Sequence, residues 1–119
     1  MKSETMKSYS DYSGGHLVGY FNATRREIES IFGEPTYTDN SKHEKVTVEW
    51  VIKFENGTFA TIYDYKRYEQ GTPKMDEVYE WHIGGENLEA ARLVSEAMWR
   101  EVTDFDVNPP SFRKPISFA

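Results

Sequence analysis

Residues 46–65 read VTVEWVIKFENGTFATIYDY, two apolar runs of period two joined by Asn56-Gly57. That period marks strands with one face buried, and Asn-Gly favours the type I′ turn whose twist suits an antiparallel pair. A two-residue turn there sets the pairing: Phe54 faces Phe59, Ile52 faces Thr61, Trp50 faces Tyr63 and Val48 faces Tyr65. One sheet face is then an aromatic slab. The other pairs Lys53 with Ala60, Val51 with Ile62, and Glu49 with Asp64, two carboxylates directly opposed.

The rest of the chain supplies helices and one or two more strands. His16 to Phe21 reads as a short strand. Thr24 with Glu27 three residues on has the form of a capping box, Ile28, Ile31 and Phe32 make an apolar stripe, and Gly33 followed by Pro35 ends the helix. Val78 to Ile83 alternates as a further strand. Gly84-Gly85 turns the chain, Asn87 supplies an N-cap, and Ala90, Leu93, Val94, Ala97 and Met98 recur at helical spacing to about Val102.

The order β-α-β-β-β-α predicts a two-layer α+β domain, a three- to four-stranded antiparallel sheet with two helices on one face. The predicted core sets Trp50, Ile52, Phe54, Phe59, Tyr63 and Trp81 against Ile28, Ile31, Phe32, Val94 and Met98. Residues 1–14 read as a mobile leader, 15–103 as the domain and 104–119 as a proline-rich arm. Phe105, Val107, Phe112, Ile116 and Phe118 make that arm too apolar for a solvated tail, so it is expected to wrap the domain or to dock on a second copy as a homo-oligomer.

Composition narrows the function classes. A net charge of −6 argues against a general nucleic-acid binder, whose phosphate contacts need clustered cations. Without cysteine there is no disulfide framework, thiolate metal site or cysteine nucleophile, which fits a reducing, cytoplasmic setting. No apolar run has the roughly 20 residues that span a bilayer. No motif calls for a cofactor.

Three constellations bear on chemistry. Glu49 and Asp64, with His82 and Glu80 from the next strand, form a weak metal or acid–base candidate of no recognised spacing; the bland alternative is a solvated face neutralised by Lys53, Lys66 or Arg67. Gly84-Gly85 beside His82, opening a helix, has the form of an anion site, although it fits neither a Walker loop nor a dinucleotide fingerprint and equally makes a tight turn. Tyr63, Tyr65, Tyr68 and Tyr79 interleave with Lys66 and Arg67, a pattern for stacking on a base while cations hold its phosphate, or for core packing. The ligand-binding candidates are thus His82, Gly84, Gly85, Arg67, Tyr68 and Lys66.

The strings Phe32-Gly33-Glu34-Pro35, Trp50 to Gly57 (WVIKFENG), Ala60 to Lys66 (ATIYDYK) and Trp81 to Gly85 (WHIGG) resemble small uncharacterised accessory proteins of tailed bacteriophages, over about residues 18 to 98. The resemblance implies a viral accessory role in the host cytoplasm, of the anti-defence kind, and carries no catalytic residue. A non-enzymatic module that sequesters a small anionic nucleotide-type signal is the leading expectation. An acidic inhibitor of a host defence protein is the alternative, and a metal-dependent hydrolase at Glu49, Asp64, Glu80 and His82 is third.

Overall fold

The computed structural model describes residues 2–8, 15–38, 45–105 and 117–118, with the backbone alone at 69, 99–105 and 117–118. Strand β1 is Ser3–Thr5, β2 His16–Thr24, β3 Tyr37–Thr38, β4 Val48–Phe54, β5 Phe59–Tyr63, β6 Val78–Gly85 and β7 Ser117–Phe118. Helix α1 is Arg25–Phe32 and α2 is Leu88–Phe105. The strands form one sheet of order β1-β4-β5-β6-β2-β7, with β3 beside β4. Every pairing is antiparallel. This is the expected α+β architecture, with three additional short strands at the margins. No described helix is long and apolar enough to cross a membrane.

The hairpin differs from expectation by one residue. Lys53 pairs with Phe59, Ile52 with Ala60, Val51 with Thr61, Trp50 with Ile62 and Glu49 with Tyr63. The loop holds three residues instead of two: Gly57 N–H bonds to Phe54 O at 2.9 Å and Phe54 N–H to Thr58 O at 2.8 Å. Of the described non-glycine residues only Lys66 and Tyr68 have positive φ, so Asn56 does not adopt the left-handed form that a type I′ turn needs. Instead its side chain accepts the Thr58 N–H at 3.0 Å, and Gly57 alone takes positive φ, +90°. The result is a turn closed by a glycine bulge.

A slip of one residue sends every β5 side chain to the opposite face. Ala60 and Ile62 therefore enter the core, while Phe59 and Tyr63, assigned to it from the sequence, lie on the other side. Trp50, Ile52, Phe54 and Trp81 are buried as expected, in one cluster with Ile28, Phe32, Val94 and Met98. Tyr79 packs at its margin.

The same slip parts Glu49 from Asp64. Asp64 is fully buried, its Oδ1 accepting the N–H groups of Thr47 at 2.7 Å and Val48 at 3.0 Å, its Oδ2 accepting the Thr47 hydroxyl at 2.6 Å. Thr72 Oγ1 donates to Thr47 Oγ1 at 2.7 Å and so ties in the long loop. The carboxylate closes the mouth of the hairpin.

Both helices cover the core face. The capping box forms as read, with Thr24 Oγ1 accepting from Glu27 N at 3.1 Å and Glu27 Oε1 accepting from Thr24 N at 2.7 Å. Two tryptophans then seize the ends of α1. Trp81 Nε1 donates to Ala23 O and Trp50 Nε1 to Gly33 O, each at 2.9 Å, and the two rings meet edge to face with centroids 5.4 Å apart. Helix α2, capped by the Asn87 carboxamide, presses its first turn against β6, where the Ala90 methyl occupies the place of a Cβ on Gly85. Only glycine admits the helix there. The helix runs three residues beyond its expected end.

The described parts of both chain-end segments join the sheet. Ser3–Thr5, placed in a leader, pairs with the Phe54 end of β4, and Thr5 donates its hydroxyl to Phe32 O at 2.6 Å. Ser117 and Phe118 pair with Tyr20 and Gly19 of the same chain. The intervening arm, with Val107, Phe112 and Ile116, lies outside the described residues.

Two substitutions test this packing by urea denaturation. Trp50→Ala removes a buried ring and a helix anchor and is expected to cost about 3–5 kcal/mol. Asp64→Asn, neutral for a solvated carboxylate, is expected to cost about 2–4 kcal/mol because the amide turns a donor toward donors. A loss under about 1 kcal/mol at Asp64 rejects the observed register.

Candidate functional site

Alternation along four adjacent strands gives the helix-free face its own composition. Tyr20, His82, Tyr63 and Glu49 are successive partners across β2, β6, β5 and β4, so they form one row. Three tyrosines ring the imidazole. Its centroid lies 5.1 Å from Tyr20 and 5.4 Å from Tyr63, both edge-on, and 5.2 Å from Tyr65, whose plane is tilted by only 31°. Lys66 Nζ stands 5.2 Å from the Tyr65 ring centroid and adds a cation at the end of the cluster.

The neighbouring row contains Leu17, Gly84, Thr61 and Val51. Gly84 leaves a gap in it. A Cβ there would stand 2.5 Å from Thr61 Oγ1 and 3.3 Å from Tyr63 Cε1, so both side chains lean over the glycine. The cavity beside it is about 240 Å³, lined by His16 of β2, Glu49 of β4, Thr61 and Tyr63 of β5 and Gly84 of β6, with Gly15 and Val46 from adjoining loops. Thr61 is 2% exposed, and among the described residues its hydroxyl makes no hydrogen bond. A buried hydroxyl without a partner costs about 1–3 kcal/mol, and few survive in a native fold without a reason.

Against this geometry the sequence candidates divide. Gly84 lines the cavity, His82 stands one ring away, and Lys66 lies at the far end of the tyrosine cluster. Gly85 does not belong: its Cα faces α2. Nor do Gly84 and Gly85 form an anion-binding turn. Strand β6 continues through both, pairing them with Thr61 and Ala60 on one side and with Leu17 and His16 on the other, and the turn falls at Glu86 and Asn87.

Arg67 is engaged elsewhere. Its guanidinium holds the Glu77 carboxylate at 2.7 and 3.1 Å, donates to Gly71 O at 2.9 Å and lies 5.0 Å from the Tyr79 ring centroid. The contact keeps the Glu77 carboxyl below its ordinary range. Arg67 therefore pins the long loop. Tyr68, with φ of +32°, is exposed on that loop and lines no described cavity.

The metal and hydrolase candidates do not assemble. Glu49, Glu80 and His82 share the helix-free face, whereas Asp64 is buried beneath the other, and among the described residues no group of three potential ligands converges. Missed from the sequence were Tyr20, Thr61 and His16. The signal for the first two was the pairing register itself.

His82 carries a pH signature. Burial among the rings pushes its imidazole below the ordinary histidine value, outweighing the Glu80 and Asp64 carboxylates, which act in the opposite sense. The folded state thus binds this proton less tightly than the unfolded chain does. Stability from this group is complete above the unfolded value of about 6.5 and is lost as pH falls through it. The melting temperature is expected to drop between pH 7.5 and 5.5, and His82→Gln to flatten that drop. Equal slopes for both proteins would reject the burial of His82.

Known proteins offer no guide to what this face does: no family model matches the chain, and neither a curated protein nor a solved structure shows detectable similarity to it.

Proposed function

We propose that this chain is a binding module that sequesters a small nucleotide-type ligand on the helix-free face of its sheet, in the cavity beside Gly84. The observation that carries the reading is the Thr61 hydroxyl, buried beside that cavity with no described partner. A ligand group that accepts or donates one hydrogen bond relieves the cost of burying it. Tyr63 and the His82 cluster supply flat apolar surface next to the hydroxyl, as sites for ring-shaped ligands do. The resemblance to phage accessory proteins suggests what such capture would serve, removal of a signal on which a host defence depends. The cavity is built within one chain, so the reading does not require self-association through the C-terminal arm.

A second reading rests on net charge. At −6 the chain suits a basic host protein, which an acidic surface would attract and obstruct. Native mass spectrometry of full-length protein purified from defence-expressing cells separates the two. A retained nucleotide-sized mass supports capture, a co-purifying host protein supports obstruction, and neither species overturns both.

Thr61→Val supplies the residue-level test. Valine keeps the shape and removes the hydroxyl, so stability is expected to rise by about 0.5–2 kcal/mol while the retained mass is lost. A variant that is less stable and keeps its ligand would show that the hydroxyl serves the fold.

A further inference from the structure

The turn that sets the register also holds a chemically labile pair. Asn56 and Gly57 are both exposed at the tip of the β4–β5 loop, and a Cβ built on Gly57 would meet no described atom within 4 Å. Nothing described shields the peptide bond between them. Asn56 Oδ1 accepts the Thr58 N–H at 3.0 Å, which closes a ring containing both the Asn56 Cγ and the Gly57 nitrogen. The carboxamide is thereby folded over the main-chain nitrogen that reaches its carbon in a five-membered ring. The donor that holds Oδ1 also stabilises the negative charge that gathers there when the carbon is attacked.

Asn87 provides the internal contrast. Its carboxamide accepts the Glu89 N–H at 3.0 Å in the same arrangement, but the intervening residue is Leu88, whose branched side chain crowds the nitrogen. Gly57 has no side chain to do so. Asn22 lies within β2, paired with Glu80 and followed by Ala23. One contact restrains the labile pair: Gly57 N–H donates to Phe54 O at 2.9 Å, and the nitrogen attacks only after that bond opens and its proton passes to water. Loop tips are where such opening costs least.

We propose that Asn56 is a site of spontaneous modification by water, and that one of its two products no longer holds the β4–β5 register. The deprotonated Gly57 nitrogen bonds to Asn56 Cγ, the bond from Cγ to the side-chain nitrogen breaks, and that nitrogen leaves as ammonia with a proton from water. A water molecule then opens the cyclic imide at either carbonyl carbon, and no electron is gained or lost. Attack at Cγ restores the normal main chain and leaves aspartate. Attack at the former main-chain carbonyl reroutes the chain through Cβ and Cγ and leaves isoaspartate.

The loop distinguishes the two products. Aspartate still presents an oxygen to the Thr58 N–H, so the turn keeps its form. Isoaspartate lengthens the main chain by one carbon, inside a loop whose span is set by Gly57 N–H to Phe54 O at 2.9 Å and Phe54 N–H to Thr58 O at 2.8 Å. Both bonds cannot close over the longer path. With them goes the glycine bulge, and with the bulge the constraint that sends Ala60 and Ile62 to the core.

Peptide mapping of the full-length protein, aged in mildly alkaline heavy-oxygen water, tests the site. Residue 56 is expected to convert well before Asn22 and Asn87, taking up heavy oxygen, and urea below the unfolding transition should speed it. Each conversion adds a negative charge to the net −6, so ion exchange separates aged chains from the parent. The isoaspartate fraction is expected to melt about 4 °C or more below the parent, as loss of one or two hydrogen bonds does in a domain of this size; Asn56→Asp should melt within about 2 °C of it. Asn56→Ser, which keeps an acceptor for Thr58 but has no carboxamide, should not age here. An Asn56 still intact when Asn22 or Asn87 has converted, or when a free peptide of residues 53–60 has, overturns the site. An isoaspartate fraction that melts with the parent overturns its effect on the register.

Discussion

The position of one glycine in the β4–β5 loop decides what each face of this protein is made of. With three residues in the loop, Ala60 and Ile62 meet Trp50 and Ile52 beneath the helices, and Thr61 and Tyr63 look the other way beside Glu49. With two, the interior would have received Thr61 and Tyr63, and their buried oxygens would have lacked partners. Ile62, opposite Trp50 on β4 and Ile83 on β6, completes the buried row beneath the helices. Core and cavity therefore share one register. A change in either has to be accommodated by the other.

Local signals in the sequence foretold most of the scaffold. Thr24 and Glu27, Gly33, Asn87 and the spacing of Leu93, Val94 and Met98 act within a few residues, and each appears in the structure with the role its chemistry indicates. The pairing register depends on a contest between two turns that Asn-Gly allows, settled by which faces can be buried. The sequence held a clue, since the two-residue turn left Val51 and Ile62 together on an otherwise charged face. Moving β5 by one residue resolves the anomaly for Ile62.

The candidate site was only partly legible, for a related reason. Gly84 and Gly85 look equivalent in sequence, yet one yields to Thr61 and Tyr63 on one face and the other to Ala90 on the opposite face. Arg67 reads as an available cation until the long loop folds back and delivers Glu77 to it. The contrast between Asp64 and Thr61 could not be read in advance at all. Both are buried; three donors satisfy the carboxylate, and nothing described satisfies the hydroxyl. A polar group that the fold provides for belongs to the architecture, and one that it leaves wanting points outward.

The lateral margins of the sheet bear on how the protein behaves among other proteins. Strand β4 is covered along its outer side by β1 and β3, of three and two residues, and β2 is met by a two-residue β7. Long flat margins recruit foreign strands, whereas stubs of two or three residues give an incoming chain little ladder to extend. Among the described residues, 21–24 of β2 pair with β6 alone, so that stretch of the outer side is where an added strand would find a ladder.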